Sequence, residues 1–324
     1  MEDGGHYERS PMYHAILLER LLDLLNVWPE SDDPFPGLRE KVLEKAMKAL
    51  DWLDVMSVGG RFSLFNDACY DPAPEASRLL EFGTLLLGWR SAPRAPLRSL
   101  AASGYFRAEA DPFTLIFDAG KLGPDHQMGH AQGDMLSFCL WVRDMPVIVH
   151  PGNYEYVPGP MRDYCRSTAA HNTFVPEGAE QAEWWGSHRV GWRGHPLDAK
   201  AFWDPSGVVR LAASHDGYTR LGGRPIHTRN LELTESSLSV RDVLSADPGR
   251  PGAARFHFHP DCVVEADGKD VLVRFAAGTL RLVSDRPLRI EEAWHCPEFG
   301  LRLRNKVAIA DATVGCLVSL TLSA

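Results

Sequence analysis

The feature that most constrains the fold is a change of texture near residue 98. Beyond it the chain reads as short segments of alternating or continuous apolar residues, at 113–117, 136–142, 208–212, 231–240, 271–275 and 280–283, mostly bounded by Gly, Pro, Asp or Asn. No helical crossover pattern lies between them, which disfavours a parallel βαβ sheet and favours a large antiparallel β-sandwich. Before it, Ile16, Leu17, Leu21, Leu22, Leu24 and Leu25 recur at helical spacing within residues 12–27. Residues 38–53 repeat the pattern with good helix formers, and a shorter helix is expected at 74–89, with its proline in the first turn. Residues 91–98 read as a Pro-containing linker. The expected organisation is a helical segment at 1–97 and a β-sandwich domain at 98–324.

Charge and cysteine usage narrow the function. A net charge of -9 argues against a nucleic-acid partner, because non-specific affinity for phosphates needs clustered Lys and Arg. An anionic ligand therefore requires a local basic site. Six widely spaced cysteines without a C-x-x-C pair suit buried thiols better than a zinc knuckle or a disulfide scaffold. No apolar run approaches the roughly 20 residues of a membrane helix, and the polar stretch from Met1 to Ser10 shows no signal peptide. The oligomeric state is open, and a homo-oligomer is compatible with the sequence.

Polar residues crowd one stretch next to expected strands: Gly129-His130-Ala131-Gln132-Gly133-Asp134, Ser137-Phe138, His150-Pro151-Gly152-Asn153-Tyr154, and Arg166-Ser167-Thr168-Ala169-Ala170-His171-Asn172-Thr173. Three histidines with Gln, Asp, Asn and Arg beside them are raw material for a metal site or for acid/base chemistry, if the fold brings them to one end of the sandwich.

The ordered series G-H-x-x-x-D-x-x-S-F, P-G-x-Y-x-Y and R-S-T-x-A-H-N-T, followed by W-G-x-x-R-V-G, resembles the motifs of the heparinase II/III-like polysaccharide lyases. The opening Asp3-Gly4-Gly5-His6-Tyr7-Glu8-Arg9-Ser10-Pro11-Met12-Tyr13-His14 resembles a segment of that family's helical toroid. The resemblance runs through essentially the whole chain. It implies an incomplete α/α-toroid followed by the antiparallel sandwich, with a cleft between them, and cleavage of an acidic, uronate-containing polysaccharide or oligosaccharide by β-elimination. That chemistry needs a base for the C5 proton, an acid for the leaving oxygen and a neutraliser for the uronate carboxylate.

On this resemblance Tyr13 is the proton donor, with a share in abstraction, and His130 is the partner base. The family's neutralising Asn or His stands well before the tyrosine motif and has no counterpart in this sequence, so Asn66, Arg162 or Arg166 is expected to take that role. Arg suits it because its planar fork pairs with a carboxylate. The family's sandwich zinc implies a site at Gln132, His150 and His171, with Asp134 able to add a carboxylate, and a hydrogen-bonded polar cluster without metal is the competing reading. Trp185 and Arg189, with Trp184, Trp192 and Arg193, can stack on sugar rings and hold carboxylates, or simply pack a sheet. His257 and His259 are read as structural, and Glu8 as a support for the start of the first helix. Family members are often exported. The alternatives are a non-catalytic glycan-binding or exopolysaccharide-assembly protein with a truncated toroid and, more weakly, a glycoside hydrolase with paired carboxylates.

Overall fold

The computed structural model describes residues 1–28 and 35–323. Helices α1 (Pro11–Val27), α2 (Leu38–Val55) and α3 (Ala76–Leu87) form where the apolar periodicity places them. Ser10 caps α1 by accepting from the Tyr13 amide, and Pro11 opens the helix, where its missing N–H costs nothing. Leu18, Leu22, Ala46, Leu50, Leu53 and Leu79 close a core between the three helices. They make part of a toroid and do not close a ring. Helix α3 is shorter than expected and stops at Gly88, whose left-handed conformation (φ 68°) ends the α-helical ladder.

Three antiparallel sheets of four or more strands follow. A five-stranded meander runs in sequence order through Leu97–Leu100, Tyr105–Ala110, Phe113–Asp118, Phe138–Val142 and Met145–Ile148. An eight-stranded sheet has the order Pro196–Trp203, Val209–His215, His227–Leu233, Ser237–Leu244, Gly315–Ser323, Gly278–Ser284, Asp270–Phe275 and Val263–Asp267. A four-stranded sheet orders Leu288–Glu298, Leu301–Ala312, Gly252–His257 and Phe174–Pro176.

One core, including Leu115, Phe138, Leu211, Val240, Phe256 and Leu320, takes side chains from all three sheets, as a sandwich must. The opposite face of the five-stranded sheet, through Tyr105, Ile116, Cys139 and Trp141, packs on Trp52, Val55 and Met56 at the end of α2. That sheet is therefore buried on both sides. This explains why Phe138-Cys139-Leu140-Trp141-Val142 is an uninterrupted apolar run, whereas the strands His227–Leu233 and Ser237–Leu244 alternate buried and accessible residues.

The segment expected at 231–240 is two strands. Thr234 makes the turn between them: its amide donates to the Ser237 carbonyl and its hydroxyl accepts from the Ser236 and Ser237 amides. With apolar alternation continuing on either side of a polar, Gly-free turn, periodicity alone did not reveal the break.

Candidate active site

The start of α1 lies against the Gly129–Asp134 loop because buried polar groups tie them together. The Ser10 hydroxyl donates to the Asp67 carbonyl (2.7 Å), and the Asp67 amide donates to the His130 carbonyl (3.0 Å). Asn66, in the left-handed region (φ 53°), accepts from the Gln132 amide (3.1 Å) and gives its own amide to Asp134 Oδ2 (2.9 Å). Gly133 is required in this loop, since a Cβ there would lie 2.6 Å from Thr168 Oγ1. The R-S-T-x-A-H-N-T segment thus approaches the loop backbone directly.

These ties put Tyr13 and His130 side by side. Their rings stack with centroids 4.2 Å apart at 18°. Glu8 Oε2 lies 3.0 Å from His130 Nδ1, which sets that nitrogen as the N–H donor and leaves Nε2 free to take a proton. The Tyr13 hydroxyl meets the Tyr156 hydroxyl at 2.9 Å, and the Tyr156 ring faces those of His130 (5.7 Å) and His188 (5.5 Å). Burial raises the Tyr13 phenol above the ordinary tyrosine value, opposed in part by its hydrogen bond with Tyr156, and burial raises Tyr156 too. Both phenols are protonated at neutral pH.

Tyr156 and His188 were not assigned from sequence, although each stands in a quoted motif, P-G-x-Y-x-Y and W-G-x-x-R-V-G. Alternation in the first motif does not say which tyrosine meets Tyr13. The fold does: the Tyr156 hydroxyl reaches Tyr13, while the backbone carbonyl of Tyr154 caps Gly300.

Asn66, Arg162 and Arg166, expected to neutralise a substrate carboxylate, lie in the interior at 1% exposure or less. Arg162 clasps Asp67 with both terminal nitrogens (2.5 and 2.8 Å) and also donates to Asn153, Gly129 and Ser187. Burial alone would lower its pKa, but the Asp67 charge and hydrogen bonds hold it above the usual value. Arg166 donates to the Ala131 and Gly186 carbonyls and stacks 4.4 Å over Trp184. Two arginines are thereby spent on one task. They pin the tip of the hairpin formed by Ala182–Trp185 and Arg189–Arg193, whose exposed residues include Trp185, His188 and Arg189. Arg189 pairs in register with Trp185, so both stand at the same level of that hairpin.

In the interior beside this group, Asp134, His150 and His171 bring their ligand atoms within 4.8 Å of one another, a group able to hold a metal ion. Burial lowers both imidazoles to about 3, leaving them neutral, and raises the Asp134 carboxyl. His171 Nδ1 meets the Ser167 carbonyl at 2.8 Å and Nε2 meets Gln132 Oε1 at 3.0 Å. The Gln132 amide nitrogen is committed to Asp67 Oδ1 and the Gly152 carbonyl, so its oxygen must face His171. His150 Nδ1 accepts from the Gly152 amide (3.1 Å), which leaves the ring proton on Nε2, 3.3 Å from Asp134 Oδ2. Asp134 Oδ1 is buried without a partner among the described residues.

This arrangement can be compared with known proteins. The sequence profile described as heparinase II/III-like, C-terminal, matches residues 92–315. The chain belongs to the heparinase II/III-like family. No curated protein sequence matches it. Its fold superposes on a solved heparinase III gene product with a TM-score of 0.77 at 17% identity, covering 100% of this chain and 53% of the other. A heparan sulfate lyase mutant from Pedobacter heparinus gives 0.76 at 15%, covering 100% and 54%, and another heparinase III gives 0.74 at 14%, covering 99% and 55%. At such identities the likeness shows a shared fold, and the chain spans about half the length of these proteins.

Proposed function

We propose that the cleft lined by Tyr13, His130 and Tyr156 is the catalytic centre of a polysaccharide lyase that cleaves a uronate-containing chain by β-elimination. The observation that carries the reading is the pair of protonated phenols in hydrogen-bond contact, with Tyr13 stacked on an imidazole whose Nδ1 is fixed by Glu8. In such a reaction a base takes the C5 proton, the C4–O bond breaks as the C4=C5 double bond forms, and an acid protonates the departing oxygen. His130 Nε2 is the open base, Tyr13 the proton donor, and Tyr156 the phenol that shares its proton with Tyr13.

With Asn66, Arg162 and Arg166 buried beneath, they support this reading as the frame that fixes the loop and the hairpin tip. Carboxylate contacts fall to the exposed Arg189 and His188, and sugar stacking to Trp185.

A divalent ion such as zinc fits the buried cluster on its donor set. His171 Nδ1–H donates to the Ser167 carbonyl and Nε2 thus turns a lone pair toward Gln132 Oε1, another lone pair, while Asp134 Oδ1 lacks a partner among the described residues. Asp134, His150 and His171, whose ligand atoms lie within 4.8 Å of one another, would hold the ion, with Gln132 Oε1 beside His171 Nε2 as a further donor. The ion would supply structural cross-linking of the loops that carry them.

The test is ultraviolet absorbance of the unsaturated uronate when the full chain meets a panel of acidic polysaccharides, beside Tyr13→Phe. A rise from the parent that Tyr13→Phe abolishes while keeping the fold supports the assignment. Equal rates in both sink it, and glycan affinity without product would favour the non-catalytic binding protein, for which the exposed Trp185 and Arg189 provide a surface.

A further inference from the structure

The hairpin of Leu288–Glu298 and Leu301–Ala312 carries a basic surface that neither the acid/base group nor the buried cluster uses. Its tip borders the candidate catalytic group. The Phe299 ring lies 5.3 Å from that of Tyr156, the Phe299 amide donates to Asp71 (3.0 Å), and the Gly300 amide donates to the Tyr154 carbonyl (2.9 Å). Further along, the Tyr164 hydroxyl clamps the edge of the first strand, donating to the Trp294 carbonyl and accepting from the Trp294 amide, both at 3.0 Å. The indole is held as well, since it packs on Met161, Cys165 and Cys296.

Arg304 pairs in register with Trp294, and Arg302 stands two residues away on the same side of its strand. Each guanidinium carbon lies 4.7 Å from the centre of the Trp294 ring. Both arginines are exposed, and neither has a carboxylate within ion-pair distance among the described residues; Glu292, on the neighbouring strand, is bonded to Lys306. In a chain of net charge -9 this is a local concentration of unpaired positive charge. A guanidinium stacked on an indole uses its flat face and leaves its N–H edge free in the plane. Two forks held in this way lose less freedom on gripping an oxyanion than two mobile side chains would. Phe299 and Trp294 are separated by roughly 15 Å at the ordinary rise of a strand, so a single ligand that meets both the cleft and this surface must be a chain.

We propose that Arg302 and Arg304, stacked on Trp294, form an outlying contact site for the carboxylates or sulfates of an acidic glycan whose chain continues out of the Tyr13–His130 cleft. The kind of chain rests on the lyase reading, but the test reads binding, which does not require turnover.

Affinity is measured by isothermal titration of the full chain carrying Tyr13→Phe, with heparan sulfate, alginate and polygalacturonate as long probes and their disaccharides as short ones. We expect Arg302→Ala with Arg304→Ala to weaken the best-bound long chain by about tenfold, as loss of charge-assisted hydrogen bonds implies. Arg302→Lys with Arg304→Lys, which keeps the charge and loses the fork, should weaken it several-fold. The matching disaccharide should change by less than about twofold in either variant. Both side chains are exposed, so the variants keep the fold. Unchanged long-chain affinity in the double alanine variant would overturn the site, as would an equal loss for the disaccharide or a parent that binds none of the probes. Duplex DNA bound as tightly as the best glycan, with the same loss, would make this a general polyanion surface and overturn the glycan assignment. If the unsubstituted chain forms no unsaturated uronate while the double variant loses glycan affinity, the lyase reading fails and this site stands. Turnover with unchanged long-chain affinity is the reverse outcome.

Discussion

Two buried clusters in this protein are built from the same residue types and are finished differently. In the eight-stranded sheet, Asp242 receives His227 Nε2 (2.7 Å) and Arg229 Nε (2.8 Å) on one oxygen, and Arg229 Nη2 (2.7 Å) on the other. His227 Nδ1 in turn meets His215 Nε2 (3.1 Å), and His215 Nδ1 accepts from the Gly217 amide (2.9 Å). From Gly217 to Asp242 the protons run in one direction, and both carboxylate oxygens are satisfied. The Asp134, His150 and His171 cluster has a carboxylate oxygen without a partner among the described residues and two acceptors facing each other. A closed polar network is a structural device, whereas one left open at a single point has room for something to arrive.

The largest effect should come from breaking the closed cluster. Burial alone would raise Asp242, but the Arg229 charge holds it well below the usual carboxylate range, so Arg229→Met strands a buried anion. We expect a loss of about 3–5 kcal/mol in chemical denaturation, with no rescue by zinc. A loss under about 1 kcal/mol would show that Asp242 can shed its charge by protonation at little cost.

Next in size is the response of the open cluster. Zinc at a hundredfold excess over its Kd should raise stability by about 2.7 kcal/mol. The gain assigned to this cluster is the part that His171→Ala removes and His215→Ala keeps. A gain insensitive to His171→Ala would mean that the two clusters differ only in how completely their hydrogen bonds are drawn.

Acid separates the same regions from the cleft. His14 and His257 are lowered to about 3 by burial, and His215 and His227 are lowered for the same leading reason. These imidazoles are neutral in the fold, while the unfolded chain protonates them near pH 6.5. The unfolded state therefore binds more protons as pH falls below that value, and stability drops between about pH 6.5 and 3. Denaturation midpoints measured across that window should decline steadily, and a flat profile would mean that the imidazoles accept protons inside the fold.

How much of this was legible beforehand depended on the range of the interaction. Helices α1 and α2 and the alternating strands follow from local period, and the incomplete toroid followed from the motif series. The polar residues from His130 to His171 stood out because they are crowded in sequence. What stayed hidden was pairing over long separations: Asp67 with Arg162, Glu8 with His130, and Tyr13 with Tyr156. Arg162 looked like a ligand residue because a guanidinium in a motif has no visible partner until the chain folds and brings Asp67 to it.

The smallest effect concerns the hairpin that the two buried arginines hold in place. Trp185 is 55% exposed and packs on no core, so Trp185→Ala should leave stability within about 0.5 kcal/mol. If a sugar stacks there, KM should rise several-fold with kcat nearly unchanged, because a contact made equally in ground and transition state affects binding alone. Arg166→Lys offers the contrast. It keeps the charge but loses the planar fork that reaches the Ala131 and Gly186 carbonyls, so the hairpin tip loosens and kcat and KM should both suffer. Steady-state kinetics on one acidic oligosaccharide would distinguish the two, and a pure KM effect from both variants would place Arg166 with the sugar contacts instead of beneath them.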